Sequence, residues 1–177
     1  MVTRPRTAAA IALIAAALLP AAAAAQHAKA AHQESPIYLP DAAAARLVGV
    51  APDGPAGADV IVLTQALATK ETGPKETVKR FGEVYAFAPA VFAVHRDQPT
   101  RVTFRNLQAD DLHDVMLTAP DGTVVLQVPL PPLTDISYVL TFHREGVFPF
   151  YCTMHQPAMS GQVIVLPATP ASDHPLP

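Results

Sequence analysis

A single cysteine, Cys152, is followed three residues later by His155 and seven residues later by Met159. One thiol allows no intramolecular disulfide and no multi-cysteine zinc or iron–sulfur site. It is left as a small buried hydrophobe, a bridge to another chain, or a thiolate held by a metal. Thiolate, imidazole and thioether from one eight-residue stretch point to the last of these, because soft sulfur with imidazole suits copper in both oxidation states. A fourth donor must come from elsewhere. Of the seven histidines, His27, His32 and His174 lie near the chain ends, and His95 and His143 sit in polar turns. His113 opens a strand-like run whose inward residues are Val115 and Leu117, so it shares their parity and points inward. Met154 adjoins His155 as a rival axial donor. Met159 is preferred, because the loop must close before Gly161. Met116 reads as a packing residue.

The elements that must hold these groups are short strands. Phe148, Phe150 and Cys152 share parity, so Cys152 continues the inward face of a strand at its end. Arg101 to Leu107 alternates, with Val102 and Phe104 on one face. Further apolar runs cover 83–94, 113–118, 123–128, 136–142 and 162–166. Pro120-Asp121-Gly122, Pro131-Pro132 and Arg144-Glu145-Gly146 separate some of them as turn signals. Nineteen prolines and few charges argue against a helical bundle. The fold class is therefore all-β, a Greek-key β-sandwich or barrel. Upstream, two strand-like runs around the turn former Asp53-Gly54 read as a hairpin over 46–67. Residues 69–80 have no apolar period and read as a surface connection.

The ends are of another character. Arg4 and Arg6, an apolar run of twelve from Ala8 to Leu19, and the small residues up to Ala25 predict a secretory signal peptide over 1–25. The apolar run is too short to span a bilayer. The expected organisation is the signal peptide, a linker and N-terminal extension over 26–77, a core domain over 78–167 and a disordered tail over 168–177. The expected location is a bacterial periplasm, with no stable membrane insertion once the signal is removed. A net charge of −3 gives no mark of a nucleic-acid binder.

The stretches FAPAVFAVHRDQPTRVTFRN, LHDVML and GVFPFYCTMHQPAMSGQVIVLP resemble the cupredoxin family, the plastocyanin and amicyanin group of type 1 blue-copper proteins. The resemblance implies one type 1 copper ion, held by His113, Cys152, His155 and Met159. It also implies a one-electron carrier whose partners are redox proteins such as a periplasmic cytochrome, oxidase or dehydrogenase. One departure stands out: the family often has Asn after the first His, and here Asp114 follows. A carboxylate there, expected on the strand face opposite His113 with solvent near, would favour Cu(II) and lower the potential.

Two other readings compete. A copper module for storage, delivery or tolerance would use the same ligands but needs exchangeable metal. An enzyme is not expected. Multicopper oxidases need several His-x-His pairs and a binuclear purple centre needs two cysteines, and the sequence has neither. For the carrier, Gln156, Pro157 and Ala158 are expected beside Leu130, Pro131, Pro132 and Leu133 as a small apolar docking patch.

Overall fold

The computed structural model of the chain describes residues 38–169. The expected signal peptide, most of the linker up to residue 37, and the tail from residue 170 lie outside the described residues. Ten strands run in order: β1 (Val48–Ala51), β2 (Ala58–Ala68), β3 (Val84–Ala88), β4 (Val91–His95), β5 (Thr100–Arg105), β6 (His113–Thr118), β7 (Val124–Leu130), β8 (Asp135–Phe142), β9 (Gly146–Tyr151) and β10 (Ser160–Leu166). They form two five-stranded sheets, ordered β1-β8-β5-β2-β3 and β4-β10-β9-β6-β7. Most neighbours are antiparallel, but β2 pairs in parallel with β5, and β4 with β10. The all-β sandwich expected from the short alternating runs is the fold observed.

Alternation decides which faces meet. On β5, Thr100, Val102 and Phe104 are buried while Arg101 and Thr103 are half-buried and Arg105 is exposed. On β9, Phe148 and Phe150 are buried, and Cys152 continues that face just past the strand's end. The two inner faces share one core. Phe150 links the layers, with its ring centroid 5.3 Å from Phe87 and 5.6 Å from Phe104 across the sandwich. Phe142 and Phe148 meet edge-on at 4.9 Å. Such aromatic pairs add about 0.5–1.5 kcal/mol each beyond the area they bury, so this cluster holds the strand that leads into Cys152.

Two local expectations are corrected. The runs over 46–67 do form strands, but not a hairpin: β8 and β5 lie between β1 and β2 in the sheet. β1 pairs with β8, and β2 lies in parallel beside β5. The intervening segment is tied to the start of β5 instead. Gly57 donates its N–H to the Pro99 carbonyl, and the Arg101 guanidinium donates to the Gly54 carbonyl. Residues 58–68, expected in an extension, are thus an interior strand of the sandwich.

The surface connection over 69–80 also contains a two-turn helix, α1 (Lys75–Phe81), none of whose residues is buried. Its ends rather than an apolar period define it. Pro74 stands at the entry, and Gly82, at φ 78°, donates its N–H back to the Val78 carbonyl. Glu76 in the first turn and Lys79 and Arg80 in the last complement the helix dipole. Among the described residues no helix is long and apolar enough to cross a membrane.

Candidate metal centre

Two chain segments build the site. His113 is the first residue of β6, and the loop over 152–159 connects β9 to β10. β6 and β9 are antiparallel neighbours, so the start of one and the end of the other lie at the same end of the sheet. The loop is laced to itself. Cys152 donates its N–H to the Met159 carbonyl and Met159 donates to the His155 carbonyl, both at 3.0 Å. The Ser160 hydroxyl donates to the Pro157 carbonyl.

Three donor atoms converge. His113 Nδ1 and His155 Nδ1 are 3.0 Å apart, and Cys152 Sγ lies 3.9 Å from the first and 3.5 Å from the second. A point equidistant from all three lies about 2.0 Å from each, within the roughly 2.0–2.3 Å range of metal–imidazole and metal–thiolate bonds. His113, Cys152 and Met159 are fully buried, and His155 is half-buried. Met154 is exposed, which leaves Met159 as the loop's inward thioether.

Burial sets the protonation of the metal-free site. It pushes the Cys152 thiol up to about 11. It pulls His113 down to about 4, with the neighbouring His155 adding to the effect, and lowers His155 as well. Without metal the pocket therefore holds a neutral thiol and neutral imidazoles at pH 7. Metal binding must displace the thiol proton. A His₂Cys triangle with a buried Met beside it is the donor set that suits a type 1 copper ion.

The structure brings the expected His113, Cys152 and His155 together, and Met159 lies in the same laced loop. Three neighbours were not expected from the sequence. Tyr85, on β3 of the opposite sheet, packs its ring 5.0 Å from His113 and 4.6 Å from His155, and its hydroxyl donates to Asp111 Oδ2 at 2.5 Å. Its parity with Phe87 marks it as inward, but nothing local shows which end of the core it faces. Gln108 reaches His113 Nε2 at 3.0 Å, and Thr64 on β2 reaches Gln108.

Asp114 corrects an expectation. It is fully buried, without solvent beside it. Its carboxylate accepts the Thr153 N–H at 2.6 Å, the Thr153 hydroxyl at 2.7 Å and the Gln127 amide at 3.0 Å. The loop after Cys152 folds over the outer side of β6 and covers it. The expected docking patch is corrected in part. Leu130 is fully buried as the register partner of His113, whereas Leu133, Gln156, Pro157 and Ala158 are exposed. His95 and His143 stay away from the site, bonded to the Pro167 carbonyl and to Asp97.

No family model and no curated protein sequence matches the chain. Among solved structures it is similar to auracyanin B, at 15% identity over 69% of this chain and 99% of that one, with a TM-score of 0.49. It is similar to auracyanin A, a "blue" copper protein from the green thermophilic photosynthetic bacterium Chloroflexus aurantiacus, at 14% identity over 62% and 100% of the two chains, with a TM-score of 0.46. It is also similar to a purple cupredoxin from Nitrosopumilus maritimus, at 22% identity over 61% and 100%, with a TM-score of 0.40. The chain's own two sheets, the core they share and the His113–Cys152–His155 cluster at one end make it an all-β sandwich with a candidate metal centre.

Proposed function

We propose that the chain is a type 1 copper protein of the periplasm that carries single electrons between redox proteins. The observation that carries this reading is the triangle of two imidazole Nδ1 atoms and one thiol sulfur, sized for one ion and backed by buried Met159. Copper bound there supplies a one-electron couple. The chain supplies the rest. Cys152 and the two histidines would hold the ion through thiolate and imidazole, and Met159 would offer a weaker thioether that tunes it. Tyr85 packs its ring against both imidazoles. The laced loop fixes the spacing of Cys152, His155 and Met159, so little has to move when the charge of the site changes.

Half-buried His155 is the route to the surface. Exposed Gln156, Pro157 and Ala158 follow it in the chain and offer a small landing area for a cytochrome, oxidase or dehydrogenase. Storage or delivery calls for a site that gives its ion up readily. Three donors with no exposed surface and a laced loop favour retention instead.

The test is optical. Copper-loaded oxidised protein is expected to be intensely blue, purple or green from charge transfer between the Cys152 thiolate and the metal. Cys152→Ser is expected to abolish the colour, because a hydroxyl is a far poorer soft donor. A colourless copper complex, or colour that survives in Cys152→Ser, would remove the assignment.

A further inference from the structure

We propose that Gln108 is the positioning residue of the site: its side-chain carbonyl fixes the tautomer and ring orientation of His113, so that Nδ1 presents its lone pair to the metal. The proposal rests on the metal-site reading of His113 but on different atoms, those on the far side of the imidazole ring. Gln108 stands in the loop between β5 and β6, five residues before His113.

The loop is held from three sides. Asn106 donates from Nδ2 to the carbonyls of Asp111 and Leu130, at 2.8 and 3.1 Å, which orients its amide. Its Oδ1 is thereby left to accept the Gln108 N–H at 2.9 Å. Leu133, from the loop before β8, donates its N–H to the Gln108 carbonyl at 3.1 Å. The backbone of Gln108 is thus anchored through both its polar groups.

The side chain is oriented in turn. Thr64 Oγ1 accepts the Leu107 N–H at 3.0 Å, and its own hydrogen is free to donate. The closest acceptor is Gln108 Oε1, nearer than Asn106 Oδ1 at 3.1 Å. Gln108 Oε1 is therefore an acceptor. The ring nitrogen that faces it at 3.0 Å, His113 Nε2, must carry the hydrogen. Neutral imidazole has one N–H, so Nδ1 bears the lone pair. That atom is the one that faces Cys152 and His155. A metal-ligating histidine nearly always gives its other N–H to such an acceptor. Here the acceptor is a side chain, held by a strand of the opposite sheet, so it can be exchanged by mutation.

The first measurement needs no variant and no metal. Nitrogen-15 NMR of metal-free native protein at neutral pH is expected to show His113 as the Nε2–H tautomer; an Nδ1–H tautomer would overturn the proposal. In Gln108→Leu, which has no acceptor, the tautomer is expected to shift toward Nδ1–H. Affinity for Cu(II), measured by chelator competition, is expected to fall about 10–100-fold. Gln108→Glu keeps an oxygen at the same place and is expected to restore the tautomer and most of the affinity. A merely structural role would leave the His113 tautomer unmoved in Gln108→Leu, and that result would refute the assignment. If Gln108→Leu does not fold, the native tautomer and the Gln108→Glu affinity decide. Failure of the copper reading itself would show in the Cys152→Ser colour, while the metal-free tautomer stands or falls alone.

Discussion

Asp114 and Thr153 join the two ligand-bearing segments across nearly forty residues of sequence. Each follows a donor by one residue, and two hydrogen bonds tie them. The Thr153 N–H, the Thr153 hydroxyl and the Gln127 amide all donate to the Asp114 carboxylate, so both of its oxygens accept. Asn at this position could keep the Thr153 N–H bond. Its amide nitrogen would donate to the Thr153 hydroxyl, and Gln127 would turn its own amide. The loop should therefore hold while a negative charge is lost. Copper(II) with one thiolate carries a net positive charge and copper(I) does not, so a nearby carboxylate favours the oxidised form. A unit charge ~8 Å away at an effective dielectric of about 20 is worth about 2 kcal/mol, on the order of 90 mV for one electron. Asp114→Asn is expected to raise the reduction potential by tens of millivolts, with the colour retained. Voltammetry of both proteins checks it, and equal potentials would mean that the charge is compensated inside the site. His113 and Cys152 were legible because each lies on an alternating run whose inward face could be read. The burial of Asp114 was not, since it depends on a loop nearly forty residues away that folds across the outer side of β6. Gln108 escaped for a similar reason: its role needs Thr64, on a strand of the other sheet.

At the scale of elements, β10 closes the site and must pass very near two neighbours. A Cβ at Gly161 would run into the Phe150 ring and the Ala90 carbonyl. Neither can give way freely. Phe150 is wedged among Phe87, Phe92 and Phe104, and the Ala90 carbonyl accepts the Gln162 N–H at the head of the β4–β10 pairing. Gly161→Ala is expected to destabilise the protein by about 1–3 kcal/mol, the usual cost of overpacking. That should lower Tm by several degrees, whereas Gln162→Ala, at an exposed position, should change stability by less than about 0.5 kcal/mol. Thermal melts compare them; equal midpoints would show that the Phe150 ring swings aside. Strands were readable here because period-two burial is written locally. Their pairing was not. β1 and β2 looked like a hairpin because a turn lay between them, yet parallel pairing of β2 with β5 offered the apolar residues of β2 a place beside Val102 and Phe104 inside the sheet. Helix α1 was invisible to a search for apolar period, since it buries nothing and is defined by Pro74 and Gly82 at its ends.

For the whole molecule, the neutral metal pocket links stability to pH. In the metal-free protein His113 titrates at about 4, against 6.5 for a free histidine. His155 is lowered too, although Asp111, Asp114 and Glu83 pull it the other way. Below pH 6.5 the unfolded chain therefore binds protons that the folded chain resists. Stability that is fully present above pH 6.5 drains away as pH falls toward 4, and His113 alone accounts for about 3 kcal/mol. This is a large share of the roughly 5–15 kcal/mol that holds a domain folded. On the alkaline side Cys152 resists losing its proton until about 11, against 9 for the unfolded thiol. Stability should fall again as pH rises from 9 to 11. The surface carboxylates Asp53, Asp97, Asp121 and Asp135 are all lowered from 3.8, so their own losses begin only below about pH 4, clear of the histidine window. Metal held in this pocket would favour the folded chain that assembles it. At a thousandfold excess over Kd it adds about 4 kcal/mol. It also holds both Nδ1 lone pairs against protons, so the acid decline should begin at lower pH. Urea titrations of metal-free and copper-loaded protein between pH 4 and 8 test this, with the metal-free midpoint expected to drop steadily below 6.5 and the loaded one to stay level further down. A metal-free midpoint that is flat across that window would mean that His113 escapes to water when protonated, and that the burial seen at the head of β6 does not resist the charge.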